Sequence, residues 1–214
     1  MVSSNFKLGI FDHSGVLSDD RLPVYESNMV LLVEYGCKRI SFREWLEASK
    51  ASAADFIESL IPGVNKEEIH GKYKQVYTHI TTRDKNPITP FMYPETLSFI
   101  NKIHKAGLNL AVVSTHPQEN LLDELSKYRL IDYFHEISGE NTPKSGRIKS
   151  ICKQFDTDPK NAFFVEDSIY GLQEGHKAGV KTFGITTGYH SRKMLKAEKP
   201  VAVVNSLTEL LEHI

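Results

Sequence analysis

Lys7-Leu-Gly-Ile-Phe11 is a short apolar stretch that predicts a buried strand, and it runs straight into Asp12-His-Ser-Gly-Val-Leu. From about Arg21 to Thr82 the apolar positions change to a helical period. Val24, Met29, Leu32 and Val33 fit one stripe that Gly36 can terminate. Ser41-Phe-Arg-Glu44 reads as a capping box ahead of Trp45. Ser52 can cap a short helix that Pro62-Gly63 ends. Asn65 can cap another, with Ile69, Tyr73, Val76 and Ile80 along one face. No alternation of period two interrupts these segments, so a small all-helical domain is the simplest account.

After Arg83-Asp-Lys-Asn-Pro87 the pattern turns to alternating helix and strand. Helices are predicted over Pro94–Lys105, Pro117–Lys127, Ser145–Phe155, Tyr170–Ala178 and Ser206–His213. Between them lie strand signals at Leu108–Val113, Glu136–Ser138, Ala162–Val165, Lys181–Ile185 and Val201–Val204. Strands separated by single helices imply right-handed crossovers and a parallel sheet. The fold class is therefore α/β, a Rossmann-like parallel-sheet core with an inserted all-helical domain. Residues 1–18 and 88–214 form the core in this reading, and residues 19–87 the insert.

Composition narrows the function without choosing it. A net charge of −1 lacks the basic field that nucleic acid demands. No apolar run approaches the ~20 residues that span a bilayer, so no membrane partner is expected. The two cysteines, Cys37 and Cys152, have neither paired nor metal-type spacing. The first residues, Met1-Val-Ser-Ser-Asn-Phe-Lys7, lack the apolar core of a secretory signal. Free thiols and no leader predict a cytoplasmic protein, and the sequence leaves monomer and homodimer both open.

Open parallel sheets collect ligands at the carboxyl ends of their strands. Those ends carry Asp12, then Ser114-Thr115, then Glu166-Asp167-Ser168, with Lys144 in a loop ahead of a helix. Three carboxylates, a hydroxyl and a lysine are the inventory for a hard oxygen-ligated cation beside a phosphate, with a carboxylate free to attack. The set holds no cysteine or clustered histidine, which argues against zinc.

Taken in order, these segments resemble the four motifs of the haloacid dehalogenase superfamily. Phe11-Asp-His-Ser-Gly-Val-Leu-Ser-Asp19 is similar to its first motif, and Leu110-Ala-Val-Val-Ser-Thr115 to its second. Lys144 stands for the third. Phe163-Phe-Val-Glu-Asp-Ser168, with Gly171, Gly175, Ala178 and Gly179 after it, looks like the fourth motif of the phosphoglycolate phosphatase and β-phosphoglucomutase branch. That branch places a helical cap where residues 19–87 lie. The resemblance implies a phosphohydrolase or phosphotransferase acting on a small phosphorylated metabolite. Asp12 would be the nucleophile and pass through an aspartyl phosphate. Mg²⁺ would be held by Asp12, the Ser14 carbonyl, Asp167 and Glu166. Ser114 and Lys144 would bind and neutralise the phosphoryl group, with Thr115 beside them. The cap stretch Ala48-Ser-Lys-Ala-Ser52 resembles the segment that reads substrate, which nominates Lys50 and Ser52.

One position departs from the pattern. Phosphatases of the family carry a second aspartate two residues after the nucleophile, as general acid and base, and here that residue is Ser14. Positioned acid–base catalysis is worth roughly 10²–10⁴-fold, so slow turnover is expected. His13 and His116 stand beside motif residues as alternative proton carriers. Two other readings stay open: a catalytically weak HAD-fold binding or regulatory protein, and a phosphonatase-like C–P hydrolase using a cap lysine. Dehalogenation fits least, because it has no use for the metal-site carboxylates.

Overall fold

The computed structural model describes residues 6–214, so most of the Met1–Lys7 segment read for a leader lies outside the described residues. The elements follow in the order β1 (Leu8–Phe11), β2 (Ser18–Asp19), α1 (Arg21–Glu34), α2 (Phe42–Ala48), α3 (Ala53–Leu60), α4 (Lys66–Thr82) and β3 (Phe91–Met92). Then come α5 (Thr96–Lys105), β4 (Asn109–Val113), α6 (Gln118–Lys127), β5 (Glu136–Ser138), α7 (Ser145–Gln154) and β6 (Ala162–Glu166). The chain closes with α8 (Ile169–Ala178), β7 (Lys181–Ile185), α9 (Arg192–Ala197), β8 (Ala202–Val204) and α10 (Leu207–Leu210). They divide into two compact units: Asp20–Phe91, and the described residues up to Asp19 with Met92–Ile214.

The larger unit is built on a six-stranded sheet in the order β5-β4-β1-β6-β7-β8, with every neighbouring pair parallel. All four residues of β1 are buried, as a central strand covered on both faces requires. The two-residue pleat sorts side chains between the faces. Phe11, Leu110, Val112, Phe163, Val165 and Phe183 pack on one side with Phe99, Ile103, Leu121 and Leu125 from α5 and α6. Leu8, Ile10, Ala111, Val113 and Phe164 pack on the other with Ile148, Ile151 and Cys152 from α7. The strand order reverses at β1, which opens the crevice where such sheets receive ligands.

The helical unit follows its capping residues. Ser41 and Glu44 form a reciprocal capping box at α2, and Asn65 accepts from the Glu67 and Glu68 amides at α4. α1 ends at Gly36, whose φ of 79° suits glycine, with Cys37 N–H donating to Leu32 O at 2.8 Å and Gly36 N–H to Val33 O at 3.0 Å. The apolar stripes sit slightly off their expected positions. Val33 is exposed, and the buried line of α1 runs through Asn28, Leu31 and Leu32. On α4 Tyr77 takes the buried place expected of Val76, which is half-buried. Three elements, β2, β3 and α9, went unpredicted. β2 and β3 pair as a two-stranded sheet, each too short for a readable alternation, and α9 forms behind the Ser191 cap.

Candidate active site

Strand register assembles the site. Phe11 of β1 stands opposite Val112 of β4 and Val165 of β6. One step further along the chain, Asp12 and Glu166 therefore leave neighbouring strands together, with Ser114 two residues beyond Val112. Neighbouring strands are ~4.8 Å apart, so side chains from these ends meet. Asp12, Ser114, Glu166 and Asp167 are all buried.

Lys144, at the entry to α7, bridges two of the carboxylates: its Nζ lies 2.7 Å from Asp12 Oδ2 and 2.8 Å from Glu166 Oε2. Burial alone would lower this ammonium, but the two carboxylates outweigh it and hold Lys144 above its ordinary value. The carboxylates divide unequally. Burial would raise Glu166, yet Lys144 and donors from Asp167 and Ser168 hold it below the usual range. Its Oε1 accepts from Ser168 N at 3.1 Å and Ser168 Oγ at 2.9 Å. Asp12 accepts from His13 N–H at 2.7 Å as well as from Lys144. Burial and the Glu166 charge win there, so its carboxyl is raised despite Lys144. Asp167 is pushed well above the ordinary value by burial, then by Glu166 and Asp12, against the Tyr189 N–H donating at 2.7 Å.

That imbalance tests the metal. Asp12, Glu166 and Asp167 each offer an oxygen within 4.8 Å of the others, and one ammonium faces three buried carboxylates. An all-oxygen set with surplus negative charge suits a hard divalent cation and not zinc. The donor chemistry fits Mg²⁺.

The remaining nominated residues separate. Ser14 lies in the turn after β1, where it bridges to Ser18 and Gly15 N–H donates to Ser18 O at 2.8 Å. Thr115 is half-buried in the loop after β4. Lys50 and Ser52 belong to the helical unit. Ser52 caps α3, its hydroxyl 3.1 Å from Asp55 N and 2.7 Å from Asp55 Oδ2, and Lys50 is exposed between α2 and α3. His13 and His116 are buried, and both present Nε2 to one carboxylate, Glu124, at 2.7 and 3.1 Å.

Sequence reasoning missed Glu124 and the loop after β7. A carboxylate at a buried position of α6, beside Leu121 and Leu125, was a visible break in an apolar stripe. The loop Thr186–His190 acts partly through backbone, which residue type does not signal, although its place at a strand's carboxyl end does. Its Tyr189 N–H holds Asp167, and Thr187 Oγ1 donates to Gly15 O at 2.6 Å. A Cβ on Gly188 would run into the Asp167 carboxylate, so only glycine lets this loop approach it.

Residues 9–185 match the haloacid dehalogenase-like hydrolase family, and the chain belongs to that family. A phosphoglycolate phosphatase from Vibrio vulnificus is 28% identical over 128 residues, covering 58% of this chain and 56% of that protein. The chain thus matches little more than half the length of that relative. Another phosphoglycolate phosphatase, from Pseudomonas fluorescens, is 21% identical over 214 residues, or 96% of this chain and 78% of its own length. Among solved structures, a haloacid dehalogenase-like hydrolase from Streptococcus pneumoniae superposes with a TM-score of 0.84 at 15% identity, over 98% of both chains.

Proposed function

We propose that this chain is a Mg²⁺-dependent phosphohydrolase acting on a small phosphorylated metabolite through an aspartyl phosphate at Asp12. The observation that carries the reading is Lys144 bridging Asp12 and Glu166 beside a third buried carboxylate, Asp167. Lysines at the surface, such as Lys66, also meet two carboxylates; Lys144 differs in being buried with three of them, an excess of negative charge that suits a cation.

Asp12, Asp167, Glu166 and the Ser14 carbonyl would hold Mg²⁺, which lets an anionic nucleophile approach an anionic phosphate. Asp12 attacks phosphorus while the bond to the leaving oxygen breaks, and that oxygen takes a proton from water. A water molecule then attacks the phosphorus of the aspartyl phosphate, releasing inorganic phosphate and restoring the Asp12 carboxylate. Lys144 orients Asp12 and favours its charged form, and Ser114 donates to a phosphoryl oxygen. Ser14 supplies no acidic proton, so substrates with good leaving groups, acyl phosphates among them, are favoured. The kinship with phosphoglycolate phosphatases supports a small phosphate ester as the alternative. Cys37 and Cys152 are both free thiols, which suits a reducing compartment such as the cytoplasm. Among the described residues no helix is long and apolar enough to cross a membrane.

Phosphate release from a panel of phosphate esters and acyl phosphates, with Mg²⁺ and with EDTA, tests the reading. Metal-dependent turnover abolished by Asp12→Asn is the expected result. No turnover above that variant on any compound would overturn it and favour a binding role on the same fold.

A further inference from the structure

Glu124 is a buried carboxylate that the proposed chemistry does not use. It sits on α6 between Leu121 and Leu125, both fully buried. An ionised group there is strongly disfavoured unless it is well paired. Its two oxygens are shared between two rings. Oε2 meets His13 Nε2 at 2.7 Å, and Oε1 meets His116 Nε2 at 3.1 Å. The ring centroids are 5.4 Å apart. Burial would raise the Glu124 carboxyl, but the two imidazoles outweigh it and hold it well below the usual range. An ionised carboxylate only accepts, so both Nε2 atoms carry the proton. His13 Nε2 also lies 3.1 Å from Ser18 Oγ, so both rings are held by their Nε2 edges.

What they orient is visible in the main chain. His13 follows the nucleophile, and its N–H donates to Asp12 Oδ1 at 2.7 Å. Its carbonyl gathers the loop, accepting from Leu17 N at 2.9 Å and Ser18 N at 3.1 Å. His116 lies two residues after Ser114, and its N–H donates to Ser114 Oγ at 3.1 Å. The same residue's carbonyl accepts from Glu140 N at 2.9 Å. Each histidine thus joins a catalytic oxygen, through its backbone, to Glu124, through its ring.

We propose that Glu124 is a positioning residue that, by clamping the His13 and His116 imidazoles, sets the backbone donors aiming the Asp12 carboxylate and the Ser114 hydroxyl. The proposal rests on the phosphohydrolase reading, and its effect falls on the reacting geometry more than on ground-state binding. Misplacement of reacting groups on the ångström scale costs up to about 10²-fold in rate. Glu124→Gln keeps the volume but offers one acceptor for two donors.

The test uses whichever of acetyl phosphate or p-nitrophenyl phosphate the wild type turns over, with saturating Mg²⁺. Glu124→Gln should lower kcat between about 10- and 100-fold with KM within about twofold. In a Ser114→Ala background the same change should cost much less, since one of the two clamped oxygens is already gone. Equal losses in both backgrounds, or a kcat within twofold of wild type, would overturn the clamp. Nitrogen-15 NMR of the wild-type imidazoles needs neither turnover nor a folded variant. Both rings should show an exchange-protected proton on Nε2, and a bare Nε2 on either ring would refute the proposal. If the wild type releases no phosphate, the phosphohydrolase reading falls, and the imidazole spectrum alone decides whether the clamp exists.

Discussion

Asp167→Asn should make the metal-free protein more stable while destroying its affinity for Mg²⁺. Asp167 lies within 4.8 Å of carboxylate oxygens on both Asp12 and Glu166. At that separation and an effective dielectric of ~20, each like-charge pair costs about 3–4 kcal/mol. The folded protein can always escape the repulsion by binding a proton, and that escape caps the penalty. From the ordinary aspartate value of 3.8 to pH 7 is about 3 units, worth about 4 kcal/mol in all. Lys144 and the Tyr189 N–H offset part of it, so the asparagine should gain about 1–4 kcal/mol in EDTA at pH 7. Its amide oxygen still accepts from Tyr189. The sign of the pH dependence follows from the raised carboxyl. Its stabilising contribution is whole below the unfolded value of 3.8 and is lost as pH rises through the higher folded value. The advantage of the variant should therefore be nearly absent near pH 4 and widen toward pH 7. Excess Mg²⁺ at about 100 times its Kd would return about 2.7 kcal/mol to the wild type alone and narrow the gap. Urea unfolding followed by far-UV circular dichroism suits the measurement, because the sole tryptophan, Trp45, reports on the helical unit. An asparagine variant less stable than wild type in EDTA at pH 7, or a difference that ignores pH, would refute the reasoning.

Three further outcomes are expected. Lys144→Met removes the cation that bridges Asp12 and Glu166, and should destabilise the protein in EDTA by about 3–5 kcal/mol in the same urea experiment. Its phosphate release should fall to that of Asp12→Asn. Gly188→Ala presses a methyl group on the Asp167 carboxylate, and should weaken Mg²⁺ binding at least about tenfold by titration calorimetry. Ser14→Asp should raise kcat, with a ceiling of about 10²–10⁴-fold, and an unchanged rate would show that the missing acid is not at that position.

Much of the fold was legible because each element carries its own punctuation. Ser41, Asn65, Gly36 and Gly107 mark helix ends chemically, and runs such as Leu110–Val113 and Phe163–Val165 are too apolar to lie anywhere but in a covered sheet. Asp12, Ser114, Lys144, Glu166 and Asp167 could be nominated because they follow strands or open a helix and bear reactive groups. Three kinds of feature escaped. β2 and β3 are two residues each, below the length at which a period exists. The donors of the Thr186–His190 loop include amides that any sequence would supply. The tie between His13, His116 and Glu124 joins residues up to 111 positions apart, and only the packing of α6 reveals it. Ser52 illustrates the converse. Its reading as a cap was local and holds, whereas a part in recognising substrate depends on tertiary geometry that its neighbours in sequence do not encode.

The strand order has a consequence for how the protein is made. Asp12 leaves β1, Ser114 follows β4 and Glu166 ends β6, and β1 lies between the other two in the sheet. Until the third of these strands has docked, Asp12 and Glu166 cannot share Lys144, and the three carboxylates of the site cannot meet. A nascent chain still missing β6 is thus chemically mute. The unfolded ensemble would have correspondingly little hold on a divalent cation, so its binding would act on the folded state with nearly its full linkage. Acquisition of metal affinity during refolding would then serve as a clock for the closing of the sheet. That clock should run slowly, since contacts this distant in sequence are the last whose loop entropy is repaid.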